Sequence, residues 1–533
     1  MMSILFKASL LFLLGAQSVS STALDDYVWT PDENYKWFTH LFFIFSNLIS
    51  NVISPAYTLN MTSQRWLSDA DFSAGSQSGS IWWHYLVVIV PENVQYTRNA
   101  TIWITGCDMN HIPTQHDEDV ALSAALATNT GVITGVLFQQ IPNEHTIFSS
   151  DPIQKSRSED AIIAFTWDHF LNDPSNPEWL LRFPMVKASL RAMDTITEYV
   201  KQKRPELGTS LDYYCVAGAS KRGWTTWDVG AVDKERTVAI VPVVLDAINF
   251  VEVEHHQFRS YGGWTYALSD YVDMNITERF DDPNMVLLQE NVDPFWYKDR
   301  LTMPKLIVNA VMDEFQQPDD TNYWWDQMPE PKRFMMVPNA EHSLATGILE
   351  AVPGIGAWLQ ALLHKDTVPE FTWEISETTG DITATLNDVG IVHSATMWYA
   401  HSCGENAWDN NTKRRDFRVA HLDSPCSCGP FVDGMCVNLK TFWSKKELEM
   451  QMVRGKRTYT AHMDAPTDGT WAAFLIDIKY ETPASRARPL FPDFGGIPHD
   501  FGGFMEFTTQ VSVWPNTFPY PDCSGVSCGD RLV

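Results

Sequence analysis

Positive charge is what this 533-residue chain has least of: 38 lysines and arginines stand against 66 aspartates and glutamates, for a net charge of −28. Long-range repulsion then opposes binding to nucleic acid or to an anionic membrane surface, and no basic stretch offsets it. Long apolar runs are also missing, and none suffices to hold a stable membrane span. There is no internal repeat and no low-complexity tract. Cysteine is scarce, eight residues, and none stands in a Cys-x-x-Cys pair, so a zinc site lacks its usual spacing. Glu252-Val253-Glu254-His255-His256 gathers acids and histidines. Adjacent histidines on one short segment point apart, however, and no further ligand accompanies them. We read the chain as using no metal and no cofactor. What remains is a globular composition, 44% hydrophobic and 20% charged, with length enough for two or more domains.

Residues 1–20 read as a secretory signal peptide. Lys7 supplies the charge, Leu10 to Leu14 the apolar centre, and Ser18, Ser20, Ser21 and Ala23 the small residues for cleavage after Ser20 or Ala23. An extracellular protein is the expectation. Four Asn-x-Ser/Thr triplets, at Asn60, Asn99, Asn275 and Asn410, are compatible with glycosylation on that route. Six of the eight cysteines, Cys403, Cys426, Cys428, Cys436, Cys523 and Cys528, lie in the last third. In a secreted region they predict up to three disulfides of unreadable connectivity, with Cys523–Cys528 one local pair and Cys107 and Cys215 outside them.

Residues 21–80 read as an N-terminal extension. It carries an apolar stretch, Phe38 to Ile53, that fits a buried helix, an interfacial segment or a stretch wrongly included in the gene. From Ile81 strands and helices alternate. Strands are predicted at Tyr85–Val90, Thr101–Thr105, Val132–Phe138, Tyr213–Gly218, Val238–Leu245, Lys305–Val311 and Phe334–Val337. Helices are predicted at Val120–Ala127, Ala161–Leu171, Met185–Lys201, Gly223–Val229 and within Leu344–Leu363. Continuous apolar strands between helices predict an α/β domain over 81–365, a doubly wound, mainly parallel sheet covered on both faces. Past Lys365-Asp366 the segments shorten and alternate, as in Ile382–Leu386, Ala395–Tyr399, Trp471–Tyr480 and Thr508–Val513. Residues 366–533 therefore read as an antiparallel β domain, sandwich-like and crosslinked.

The chemistry centres on Gly218-Ala219-Ser220-Lys221-Arg222-Gly223, which joins an apolar strand to a helix. A sharp turn there lifts a serine hydroxyl from the end of a sheet. The usual Gly-x-Ser-x-Gly has its second glycine one residue earlier; here Arg222 takes that place. A serine needs a base and a group to orient that base, and on this topology they follow in the order acid, histidine. Asp313 stands just past one later strand and His342 just past the next. Glu314, Asp319, Asp320 and Asp246 compete for the role of acid. The oxyanion donors would be the backbone N–H of Lys221 and that of Cys107, beside the small Gly106. Lys221 and Arg222 fit salt bridges to nearby acids, or contacts to an anionic end of a substrate.

Leu24-Asp25-Asp26-Tyr27-Val28, Thr62-Ser63-Gln64-Arg65-Trp66, Trp83-His84, Ile104-Thr105-Gly106, Gly218 to Trp227, Asp313-Glu314-Phe315, Glu341-His342-Ser343 and Arg415-Asp416-Phe417-Arg418 together resemble the PhoPQ-activated pathogenicity-related family, which includes secreted autocrine proliferation repressors. The resemblance implies an α/β-hydrolase fold with a C-terminal β domain, and Ser220, Asp313 and His342 at its catalytic positions. The chain departs from the family in the insert Phe38 to Ile53, in Cys107 where a second glycine is common, and in the extra cysteines near Cys426. Two functions are consistent with this. One is a secreted serine hydrolase of an ester, amide or peptide bond, acting on a small molecule or peptide. The other is a secreted signal that restrains growth through a cell-surface receptor or secreted partner protein.

Overall fold

The computed structural model describes residues 21–46, 53–107, 110–138, 145–387, 389–403, 413–422, 426, 428–482, 504–529 and 531–533. The leader-like residues 1–20 and Asn410 lie outside these.

Among the described residues nine strands form one sheet: β1 (Lys36–Ser46), β2 (Ile53–Arg65), β3 (Ile81–Ile89), β4 (Asn99–Ile104), β5 (Ile133–Leu137), β6 (Tyr213–Ala219), β7 (Thr237–Val243), β8 (Lys305–Ala310) and β9 (Lys332–Val337). Their spatial order is β1-β2-β3-β5-β4-β6-β7-β8-β9. The first three run antiparallel to their neighbours, and β5, β4, β6, β7, β8 and β9 run parallel. The parallel strands are connected through helices, as parallel pairing requires. These include α2 (Glu118–Thr130), α3 (Asp160–Asn172), α4 (Arg182–Lys203), α5 (Lys221–Val232) and α6 (Phe250–Tyr261); α1 (Ala23–Trp29) precedes the sheet. Two short helices, α7 (Ser269–Asp273) and α8 (Pro283–Val292), follow α6, and α9 (Ile348–His364) follows β9. This is the α/β-hydrolase fold, with a mainly parallel sheet as its strand composition implies.

Alternation along the strands assigns the two faces. Tyr214 and Val216 of β6 join the core formed with α4 and α5, whereas Cys215 joins the core that includes α9. Val120, Ala124 and Ala127 of α2 pack with Val87 and Val136 on that second face. Sheets wrapped this way place their ligands at the carboxyl ends of the strands.

Of the stretch Phe38 to Ile53, residues 47–52 lie outside the described residues, and the rest is strand in place of a buried helix. Its first part is the edge strand β1, paired along its length with β2, and Ile53 opens β2 itself. Its β-branched and aromatic residues suit a strand, and Phe38, Leu41, Phe42 and Ile44 remain exposed. The residues read as an extension thus supply two strands of the main sheet.

Beyond α9 the chain forms antiparallel sheets. One has four strands, at Phe371–Ile375, Ile382–Leu386, Lys456–Ala461 and Gln451–Val453. A second includes Ser444–Glu447, Val392–His401, Ala472–Tyr480 and Met505–Thr508. Ile382, Ala384 and Leu386 of the first share a core with Met397, Ile476 and Phe507 of the second, and with Val337 and Trp358 of the α/β part. The single strand expected over Thr508–Val513 is two, Met505–Thr508 and Ser512–Trp514. Between them the Thr509 hydroxyl accepts the Ile476 N–H, at 3.1 Å, in place of a backbone carbonyl.

Candidate active site

Ser220 lies between β6 and α5 with φ 58° and ψ −129°. Its N–H donates to the Val243 carbonyl of β7 at 2.9 Å, and its own carbonyl accepts the Trp224 N–H at 3.0 Å. Two glycines make room for this turn. A Cβ on Gly218 would lie 2.7 Å from the Arg222 carbonyl oxygen, and one on Gly223 would lie 2.7 Å from the Val243 carbonyl oxygen. The second glycine falls at 223 because that residue crosses β7, which leaves position 222 free for a side chain. The Arg222 guanidinium donates to Glu159 Oε1 at 2.7 Å, and its Nη2 would meet a Cβ at Gly106 at 2.7 Å. Lys221 Nζ lies 2.8 Å from Asp160 Oδ2 and 3.3 Å from Glu159 Oε2. Both cations are therefore paired with acids, the first of the two outcomes the sequence left open.

His342 stands on the loop after β9. Its Nε2 lies 2.8 Å from Ser220 Oγ, and its Nδ1 lies 2.8 Å from Asp313 Oδ2. The other carboxylate oxygen of Asp313 accepts the N–H groups of Phe315, at 2.7 Å, and Gln316, at 3.2 Å. The Phe315 ring packs against the imidazole with centroids 4.4 Å apart. Burial alone would lower the pKa of His342, but the adjacent Asp313 carboxylate outweighs it, and the net shift is upward. In this geometry one imidazole nitrogen faces the serine hydroxyl and the other faces the carboxylate, the arrangement that general-base activation of a serine requires.

The competing acids have other partners. Glu314 Oε2 accepts the backbone N–H of His342 at 3.0 Å. Asp319 pairs with Arg415 and Asp320 with His256. Asp246 accepts the Trp324 indole N–H at 2.7 Å, and burial pushes its carboxyl up to about 8. The two histidines of the Glu252–His256 segment diverge: His255 Nδ1 lies 2.8 Å from Asp522 and His256 Nδ1 lies 2.7 Å from Asp320. Glu254 turns elsewhere, with a buried Oε2 that has no hydrogen-bond partner and a carboxyl pushed by burial up to about 8.

Cys107 has φ 111°, a backbone conformation a glycine takes without strain. It follows Gly106, the residue against which the Arg222 guanidinium lies. Cys215 is buried, and burial raises its thiol pKa to about 12, which leaves it unreactive. The other six cysteines pair as Cys403–Cys428, Cys426–Cys436 and Cys523–Cys528. Of the glycosylation triplets, Asn275 is exposed, whereas Asn60 and Asn99 are half-buried strand residues.

Cavities open on both sides of Ser220. A large apolar one, about 450 Å³, also reaches His342. A smaller one, about 70 Å³, is lined by Trp167, Trp224, Phe250 and Glu254.

Sequence reasoning passed over the supporting residues. Glu159 adopts φ 51° and ψ −121° at the start of α3 and ties Lys221 to Arg222. The signal for it was slight: two acids opening a helix, as helix dipoles favour generally. Arg415 reaches from the C-terminal region to Asp319 and to His256 Nε2, at 3.2 Å. It stood within a recognised block but carried no chemistry there.

Residues 24–418 match the PhoPQ-activated pathogenicity-related protein family. The chain belongs to this family. Ser220, Asp313 and His342 all fall within the part that the PhoPQ-activated pathogenicity-related family covers. A relative from Dictyostelium discoideum, autocrine proliferation repressor protein A, is 32% identical over 530 residues, 98% of this chain and 96% of that protein. Among solved structures, an acetyl xylan esterase from Paenibacillus sp. R4 aligns with TM-score 0.41 and 10% identity, over 65% of this chain and 92% of that one. Acetyl xylan esterase 1 from Thermoanaerobacterium sp. JW/SL YS485 aligns with TM-score 0.36 and 14% identity, over 60% of this chain and 88% of that one.

Proposed function

We propose that this protein is a secreted serine hydrolase that cleaves an ester or amide bond with Ser220, His342 and Asp313. The observation that carries the reading is the relay from Ser220 Oγ to His342 Nε2, at 2.8 Å, and from His342 Nδ1 to Asp313 Oδ2, at 2.8 Å. In this reading Nδ1–H donates to Asp313, so Nε2 presents its lone pair to the serine hydroxyl. Ser220 Oγ attacks the substrate carbonyl carbon as its proton passes to His342 Nε2. The tetrahedral oxygen takes up hydrogen bonds from the N–H groups of Lys221 and Cys107. The carbon–heteroatom bond breaks, and the leaving alcohol or amine departs with the proton from His342. Water then attacks the acyl-serine, gives a proton to His342, and the acid leaves as Ser220 regains it. The sum is substrate plus water giving acid plus alcohol or amine.

Turnover of activated esters by the purified wild type tests this. Ser220→Ala is expected to abolish it and His342→Ala nearly so, both with unchanged circular dichroism. Turnover that survives Ser220→Ala would overturn the assignment. Secretion is supported by the leader-like N-terminus and by the three disulfides, which form in oxidising compartments. Among the described residues no helix is long and apolar enough to cross a membrane.

A second reading rests on the name of the Dictyostelium relative, an autocrine proliferation repressor. Here the protein restrains growth by binding a cell-surface receptor or secreted partner, and the hydrolase site is incidental. Growth assays with the Ser220→Ala protein separate the two. Lost repression places the function in catalysis; full repression places it in binding.

A further inference from the structure

The larger cavity at Ser220 exists because of a run of small side chains. Cys215, Ala217 and Ala219 alternate along β6 toward the face covered by α2 and α9, and all three line the space. Leu126 of α2 and Ile355 of α9 close the opposite wall, half-buried because they face it. Protein interiors hold few voids larger than a water molecule, and an unfilled apolar void destabilises its surroundings. About 450 Å³ of apolar space that reaches both Ser220 and His342 is of ligand size. Most of the polar groups named at its rim are already engaged. Asp119 accepts the Trp103 indole N–H at 2.7 Å and the Thr105 hydroxyl at 2.8 Å. Thr101 donates to Thr134 at 2.8 Å, and Lys221 and Arg222 are held by Glu159 and Asp160. A ligand there gains from burial of apolar surface and finds few free polar partners.

We propose that this cavity takes the aliphatic acyl chain of the substrate, which makes the protein an esterase for medium-chain acyl groups. The inference rests on Ser220 as the nucleophile. In the acyl-enzyme the new ester bond joins Ser220 Oγ to the acyl carbon, the chain lies between β6 and the two helices, and the alcohol has left with the proton from His342. Water then releases the fatty acid.

A series of p-nitrophenyl esters from acetate through octanoate to dodecanoate tests the substrate class. kcat/KM is expected to rise about fourfold per added methylene, the transfer free energy of a buried CH₂, until the cavity is full. Leu126→Trp and Ile355→Trp each narrow the space. Each is expected to lower the octanoate-to-acetate ratio by roughly tenfold, the scale of overpacking. A measurement independent of turnover uses the Ser220→Ala protein, which is expected to bind cis-parinaric acid and release it to octanoate, more weakly when Ile355→Trp is added. Acetate hydrolysis without a rise along the series, or without fatty-acid binding, overturns the cavity assignment and leaves the hydrolase reading intact. Fatty-acid binding by a wild-type protein that cleaves no ester overturns the hydrolase reading, and with it the esterase assignment.

Discussion

At the scale of single residues, the acid is chosen by contact. Asp313 and Asp246 both end strands, but only Asp313 meets His342; Asp246 faces the Trp324 indole. Asp313→Asn is therefore expected to lower kcat by roughly 10⁴-fold, as in other triads of this kind. Asp246→Asn should cost little, because burial already favours the neutral carboxyl; kinetics on both variants check the pair. In the proposed mechanism the raised pKa of His342 would set the acid limb of activity. The base works only when neutral, so kcat/KM should fall as pH drops through a midpoint above the ordinary histidine value of about 6.5. Asp313→Asn removes the carboxylate and leaves burial, which moves that midpoint downward. A pH–rate profile of each protein reads the shift. A midpoint unchanged by Asp313→Asn would mean that Asp313 does not set the charge of His342.

At the scale of elements, the strand-turn-helix around Ser220 was legible because steric constraints leave a signature in the sequence. Only glycine fits at 218 and 223, since a Cβ at either position would lie 2.7 Å from a backbone carbonyl oxygen, that of Arg222 or of Val243. Gly223→Ala must push α5 off β7 and is expected to cost ~1–3 kcal/mol, the scale of overpacking, with a larger loss of activity because Ser220 moves with the helix. Chemical denaturation and turnover on the same sample check this. The strands of the main sheet were legible for a similar reason: burial on both faces makes them continuously apolar. The edge strand within Phe38 to Ile53 was not, because a strand with exposed phenylalanines has neither the alternation of a half-buried strand nor the length of a span. The break at Thr509 was hidden too, since a side chain that substitutes for a ladder partner leaves no periodic mark. Nor does a local pattern reveal Glu159, whose value lies in gathering Lys221 and Arg222 from a turn far along the chain.

At the scale of the whole molecule, the C-terminal region is not a separate attachment. Its strands share a core with β9 and α9, and Arg415 neutralises the buried Asp319 beside the acid loop. The boundary read near Lys365 marks a change of pattern, and sequence composition could not reveal the core that spans it. Arg415→Ala would strand the Asp319 charge and is expected to destabilise the protein by roughly 3–5 kcal/mol, seen in thermal unfolding. The disulfides act on the unfolded chain. By loop entropy, opening Cys403–Cys428, 25 residues apart, costs about 3.5 kcal/mol, and opening Cys523–Cys528, 5 apart, costs about 2 kcal/mol. Paired serine variants compared by denaturation check that order. The measurement that bears most directly on the account is fluorophosphonate labelling of the purified protein, followed by peptide mapping. We predict one phosphonylated peptide, modified at Ser220, absent from Ser220→Ala and nearly absent from His342→Ala. A folded wild-type protein that takes up no label, or takes it up at another serine, would contradict the account.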